Sequence, residues 1–342
     1  MQIGILGLSQ SGKSTLFQIM TGVDASGSYG ENYLEGIAKV PDTRFDQLVK
    51  IFSPKKISPA AIPFIDVNAS GEKAWNTIRQ ALSRVDGIIH IIDAFSNNLD
   101  EVISKYQNLM DELILADLVL VENKLERLQK LQAKAMGPDE INQAKILPKA
   151  KELLEAGKVL SNLSLNQQEV SSLRSFCFWT LKPQLIVLNI AENSADISET
   201  FKQKTQVSFP VISICCQIEA EICKLPVEEQ KEFLESAGIS QPAFERIIQT
   251  SFSLLGQISY FTVGEDEVKA WVIPANSTAP KAASAIHKDF ERGFIKAEVT
   301  SFADFIACGA TLAAAKAKGK LRLEGKEYIV QDGDIISFRF NV

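Results

Sequence analysis

The chain has 342 residues, 46% of them apolar, and a formal net charge of −6. That length accommodates two or three domains with cores of their own, and no uninterrupted apolar run nears the roughly 20 residues a membrane helix needs, so a helical membrane protein is excluded. The negative balance likewise excludes a global attraction to nucleic acid, though not a local basic patch. Five cysteines (Cys177, Cys215, Cys216, Cys223, Cys308) lack metal-ligand spacing and read as reduced thiols. The opening MQIGILGL starts directly on a strand-like run without a basic leader, so no signal peptide is expected and a cytoplasmic location is.

Residues 1 to 98 alternate β-branched runs (QIGILGL, AIPFIDV, GIIHIIDAF) with polar periodic stretches, the pattern of parallel strands joined by helices. Between them stands GLSQSGKST, residues 7 to 15. Gly7, Gly12, Lys13 and Ser14 satisfy the phosphate-binding pattern G-x-x-x-x-G-K-[ST], after a predicted strand and before a helix-competent run. Such a loop, with Ser9, Gln10, Ser11 and Thr15, cradles phosphate oxygens with backbone N–H groups. Lys13 reaches the β- and γ-phosphates and Ser14 ligates Mg2+. The pattern arises by chance in on the order of one chain of this length in a hundred.

Asp66, ending AIPFIDV, is the expected second-strand carboxylate of the Mg2+ shell, acting through water. Alone, a strand-terminal aspartate is more often a turn cap, but the upstream lysine motif reverses those odds. From 99 to 180 the β runs vanish, and DELILADLVLVENKLERLQKLQ predicts a long helix in an inserted coiled-coil hairpin whose return arm runs from about 139 to 177. At 181 to 257 buried strands resume. LIVLNIAE places Asn189 and Glu192 in the N-x-x-D/E frame that reads a purine base, and a helix cap is the competing role. Residues 258 to 342 read as a small α+β module with a hairpin-like ending, LRLEGKEYIVQDGDIISFRFNV. His90 and His287 have no catalytic or metal motif around them and read as structural.

GLSQSGKSTLF, PDTRFDQLVKIFSPKK, ILADLVLVENKLERLQK, the N-x-x-E loop and KAWVIPANSTAPKAASAIHKDFERGFIKAEV with the C-terminal run together resemble the YchF family over nearly the whole chain. The resemblance implies an α/β P-loop NTPase G domain, an inserted helical coiled coil and a C-terminal β-grasp (TGS) domain. It also implies relaxed base choice, with ATP bound as well as or better than GTP, and association with ribosomes. The final base-contacting loop falls at Cys215 and Cys216, where the family has Ser-Ala, its contact coming from backbone N–H groups. There are departures. Residues 22 to 40 hold no threonine to close over Mg2+, Ser26, Ser28 and Tyr33 being the available substitutes. Position 69 is alanine where the family has the glycine that senses the γ-phosphate, with Gly71 two residues displaced.

The expected function is therefore Mg2+-dependent purine nucleotide binding, ATP or GTP, with weak or no intrinsic hydrolysis. No glutamine or arginine stands where the motifs would assign transition-state work. Ribosome or RNA partners are expected through the TGS module, where Lys316, Lys318, Lys320, Arg322 and Lys326 cluster, and through the coiled-coil arm. Neither DNA specificity nor a membrane is indicated. Two alternatives stand beside this: a slow ATPase or GTPase switch completed by a partner, and an RNA- or ribosome-binding scaffold with a vestigial pocket.

Overall fold

A computed structural model describes residues 1–24, 33–67, 74–96, 98–131, 136–236 and 241–341. In chain order the first elements are β1 (Ile3–Leu6), α1 (Lys13–Thr21), β2 (Tyr33–Lys39), α2 (Thr43–Phe52), β3 (Lys56–Ser58), β4 (Ala61–Val67), α3 (Ala74–Ser83) and β5 (Gly87–Ala94). The helical insertion follows as α4 (Leu99–Lys130), α5 (Pro138–Glu155) and α6 (Gln167–Leu173). Then come β6 (Gln184–Ile190), α7 (Ser198–Thr205), β7 (Val211–Ile214), α8 (Cys216–Ile222), α9 (Val227–Ser236) and α10 (Ala243–Leu254). The C-terminal part comprises β8 (Gln257–Thr262), β9 (Glu267–Pro274), α11 (Ala279–Ile286), α12 (Lys288–Arg292), β10 (Phe294–Ser301), α13 (Phe302–Ala307), α14 (Leu312–Ala317), β11 (Arg322–Glu324) and β12 (Asp334–Phe340).

The elements form two units, Met1–Gly36 with Pro63–Ile247, and Ile37–Ile62 with Ile248–Val342. This differs from the division read from the sequence. The inserted arm at 99–180 falls within the first unit, while the stretch from 37 to 62 and residues 248–257 fall with the C-terminal residues.

The first unit is built on a sheet in the order β2-β4-β1-β5-β6-β7, parallel from β4 to β7. Its strands are apolar on both faces because helices cover both. One face buries Ile65, Val67, Ile88, Ile92, Ile186 and Leu188 against Val102, Tyr106, Leu109 and Leu113 of α4 and Phe201 of α7. The first half of α4 is therefore an ordinary crossover helix. Its second half leaves the sheet and packs on α5 through Ile114, Val121, Leu128, Ile146, Leu147, Ala150 and Leu154.

Asp117 sits at that changeover. Its buried carboxylate accepts from Trp179 N (3.1 Å), Thr180 N (2.8 Å) and Thr180 Oγ1 (2.7 Å), fixing α4 to the segment that enters β6. The return arm is shorter than the 139–177 helix expected. Helix α5 stops at Glu155 because Gly157, at φ 69°, closes a Schellman cap in which Lys158 N donates to Leu153 O. A 3-10 turn (Leu160–Asn162), α6, started by an Asn166–Glu169 capping box, and a second 3-10 turn (Arg174–Phe176) complete the return.

The second unit carries a sheet in the order β11-β10-β12-β8-β9-β3. The expected C-terminal hairpin is absent: β11 and β12 each pair antiparallel with β10 rather than with each other. The chain between them is spent on an isolated bridge, Thr278 to Ile329, and on a turn in which Asp334 accepts from Gln331 N and Tyr328 Oη. One face of the sheet packs on α11 through Tyr260, Ile273, Ala282, Ala297, Val299 and Ile336.

Helix α2 serves the same unit. Asp42 caps it, Phe45 meets Phe261 at 6.1 Å between ring centroids, and Phe52 stacks on Phe305 at 5.8 Å. Arg44 bridges Asp42 and Asp332, both at 2.8 Å, and lies over the Phe261 ring. Strand β3 then extends the sheet by pairing parallel with β9. Among the described residues no helix is long and apolar enough to cross a membrane.

Candidate functional site

The site lies at the C-terminal ends of β1, β4, β5 and β6, where ligands of open parallel sheets bind. The loop from Gly7 to Gly12 must be tight. A Cβ on Gly7 would meet Ile91 O at 2.5 Å and Ser11 Oγ at 2.7 Å, and one on Gly12 would collide with Asn189 Nδ2. Gln10 (φ 65°) and Gly12 (φ 96°) are both left-handed, which turns successive N–H groups towards one concavity. No side chain caps Gly12 and no acidic residue occupies the first turn of α1, so its positive end is left for an anion.

Lys13 Nζ donates to the carbonyls of Gly7 (3.0 Å) and Leu8 (3.3 Å), which lays the ammonium along the loop. Burial pulls its pKa below the ordinary lysine value, against the opposing pull of Asp66. Ser14 Oγ donates to Asp66 Oδ2 at 2.8 Å. Asp66 is fully buried and its Oδ1 has no protein partner. Burial raises its pKa, while the Ser14 hydroxyl and the Lys13 charge hold it down. A serine hydroxyl beside a buried carboxylate with an unspent oxygen is a set of hard oxygen donors, the chemistry that suits Mg2+.

Asn189, 2% exposed, is the penultimate residue of β6. Its Nδ2 donates to Ser11 O at 3.0 Å and its Oδ1 accepts from Cys216 N at 3.1 Å. It clasps the phosphate loop to the β7–α8 loop, a role the sequence reading, which placed it on the base, did not assign. Cys216 has its N–H committed to that clasp and its thiol buried, which pushes its pKa up to about 12. Cys215 is half-buried at the N-cap of α8. Glu192 is exposed on the turn after β6, while Ser9, Gln10 and Thr15 are exposed and Ser11 is buried.

Phe95 was not singled out. Ala94 pairs in register with Ile190, so Phe95, 48% exposed, lies just past the paired stretch, next to the strand that leads to Glu192. An aromatic after a strand reads as core from sequence alone, and only its exposure marks it out. Ser26, Ser28, Ala69 and Gly71 lie outside the described residues; Tyr33 begins β2, where Arg84 Nη1 donates to its hydroxyl at 3.2 Å. His90 is buried, with Nε2 on Gln184 Oε1 at 2.9 Å, and His287 is exposed and accepts from Asp289 N at the start of α12.

A P-loop at the head of a parallel sheet, with its lysine, its serine and a second-strand aspartate assembled, defines the P-loop nucleotide-binding class. The family model YchF-GTPase_C, "Protein of unknown function (DUF933)", matches residues 257–341. "Ribosome-binding ATPase YchF" of Bacillus subtilis (strain 168) is 39% identical, with 99% of each chain covered, and the protein of the same name from Escherichia coli O157:H7 is 36% identical over the same shares. The solved Schizosaccharomyces pombe YchF GTPase superposes with a TM-score of 0.86 at 26% identity, covering 99% of this chain and 97% of that one. This chain belongs to the YchF family.

Proposed function

We propose that this chain is a Mg2+-dependent purine nucleotide-binding protein that associates with ribosomes and hydrolyses nucleotide weakly or not at all on its own. The observation that carries the binding is the Ser14–Asp66 hydrogen bond at 2.8 Å beside Lys13. Ser14 would hold the metal directly and Asp66 through water. Mg2+ there would neutralise the β- and γ-phosphate charge, with Lys13 turning from the Gly7 and Leu8 carbonyls to the phosphates. Both base names among the relatives, ATPase and GTPase, accord with the one-methylene-longer carboxylate of Glu192 at the position of the usual aspartate.

Ribosome association is supported by the names of the relatives, and it implies a cytoplasmic location. The basic run of the C-terminal unit is partly neutralised internally, Lys320 by Asp304 (3.0 Å) and Arg322 by Glu324 (3.3 Å), which leaves Lys316, Lys318 and Lys326 as its cationic contribution to an RNA contact. The weak-hydrolysis reading rests on Ala69 and the threonine-free stretch from 22 to 40.

Isothermal titration with ATP, ADP, GTP and a non-hydrolysable ATP analogue, with and without Mg2+, tests the binding. Triphosphate and diphosphate constants are expected to agree within tenfold, about 1.4 kcal/mol. A hundredfold triphosphate preference would show that γ-phosphate sensing is intact. Turnover measured with and without ribosomes then separates a weak hydrolase from one completed by its partner, and co-sedimentation that Lys316→Glu, Lys318→Glu and Lys326→Glu combined leave unchanged would dismiss the basic run.

A further inference from the structure

A second cavity opens at the root of the arm and shares no residue with the phosphate loop. It has a volume of about 500 Å3 and lies among α4, the turn after α5 and the loop from α7 to β7. Met110 and Phe209, both buried, are part of its apolar floor, and its rim presents Gln107, Asp111, Lys158 and Asn162. Tyr106 gives the cavity a polar handle. It is only 6% exposed and lines the cavity, and its hydroxyl makes no hydrogen bond among the described residues. Its ring is held edge-on to Phe201 at 5.5 Å, so the hydroxyl cannot swing to a partner elsewhere without breaking that packing. The hydroxyl is open to the cavity and has no protein partner among the described residues, so a polar ligand atom can hydrogen-bond to it without displacing a bond within the chain.

We propose that this cavity is a second nucleotide site, one that receives a ribonucleotide base. The volume lies within the range of small-ligand pockets. The Met110 thioether and the Phe209 ring give the floor soft, polarisable groups against which a base would pack. Carboxamides such as Gln107 and Asn162 match the paired donor and acceptor of a base edge, and Asp111 accepts from an exocyclic amine. Lys158 supplies the charge for the phosphate. The donor set is the same whether the nucleotide is free in solution or an unstacked residue of single-stranded RNA. Only the second source draws on the ribosome-association reading.

The test holds the phosphate loop saturated with a non-hydrolysable ATP analogue and Mg2+. The four ribonucleoside monophosphates and a single-stranded hexaribonucleotide are then titrated by calorimetry. At least one monophosphate, or the oligonucleotide, is expected to bind with one additional site. Tyr106→Phe and Asn162→Ala should each weaken that binding at least tenfold while leaving analogue affinity and the melting temperature unchanged. Tyr106→Phe keeps the ring packing, so loss by misfolding is guarded against. Binding of the oligonucleotide alone, sensitive to both variants, identifies RNA as the source, and binding of a monophosphate identifies the free nucleotide. Lys13→Ala should abolish analogue binding and spare the second site, so failure of one site is distinguishable from failure of the other. No binding by any of these probes, or binding that neither variant alters, overturns the proposal.

Discussion

The phosphate-loop corner and the C-terminal sheet are assembled by opposite means. At the corner, nine consecutive residues (7–15) set nearly all the chemistry, and two single residues, Asp66 and Asn189, lock the loop from neighbouring strands. The sheet of the second unit instead takes its sixth strand and one of its covering helices from residues 37–62, far away in the chain. A motif concentrates function where little packing area is at stake, whereas a sheet completed from afar makes stability depend on residues that no motif marks.

The contrast is broken most severely at Phe45. Phe45→Ala removes a buried ring from the α2–sheet packing and should cost about 3–5 kcal/mol, read as an early unfolding transition of the second unit in a chemical melt. Nucleotide affinity unchanged alongside that loss would confirm that the two regions are energetically separate. The converse is Lys13→Ala, which should weaken ATP binding at least about a hundredfold, or 2.7 kcal/mol, with the melting temperature of the unliganded protein unaltered. Wild-type affinity in that variant would remove the phosphate-loop assignment.

Two buried groups of the first unit sharpen the comparison through pH. Burial pushes Asp117 up to about 6, its three hydrogen bonds opposing that shift. The folded state thus keeps its proton longer than the unfolded chain, and the resulting stability is full below about pH 4 and lost as pH rises to about 6. His90 works in the other direction. Burial pushes it down to about 4 from 6.5, so its contribution is full above pH 6.5 and lost as pH falls to 4. The two slopes oppose each other across one window. In Asp117→Asn the slope that opposes His90 at this position is lost, so stability should fall more steeply on acidification than in wild type, on top of a general loss of about 1–3 kcal/mol. Parallel pH profiles for the two proteins would show that Asp117 does not titrate there. The smallest effect is expected at Glu192→Asp, a shift of the ATP to GTP affinity ratio towards guanine by tenfold or less, measured by paired titrations; an unchanged ratio dismisses Glu192 as the base reader.

What the sequence disclosed follows the same division. The phosphate loop, the placement of Asp66 beside it and the parallel sheet were legible because each rests on a local pattern: a glycine spacing, a strand end, a β-branched run. Asn189 was legible from its frame, but its clasp on Ser11 and Cys216 was not, because it depends on two loops that meet only in the fold. The long helix α4 was read as one coiled-coil strand because the apolar period is continuous across Asp117, although its partner changes there from sheet to α5. The C-terminal hairpin failed for a related reason: turn residues mark where a chain reverses, not which strand it rejoins. Membership of α2 and β3 in the second unit has no sequence signal at all, because an amphipathic helix and a three-residue strand suit either sheet.

That donated segment also has a consequence for synthesis. Residues 37–62 leave the ribosome before Pro63–Ile247, and strand β9, which β3 must join, is made only afterwards. At the usual 5–20 residues per second the interval is on the order of ten to forty seconds. Throughout it Phe45, Leu48 and Phe52 have no sheet to cover, and the open edge of β3 has no neighbour. The nascent chain thus carries an adhesive amphipathic helix in waiting, and a chain terminated before β9 carries it permanently. Quality control would therefore meet incomplete copies of this protein through their N-terminal third, although the missing residues lie at the other end.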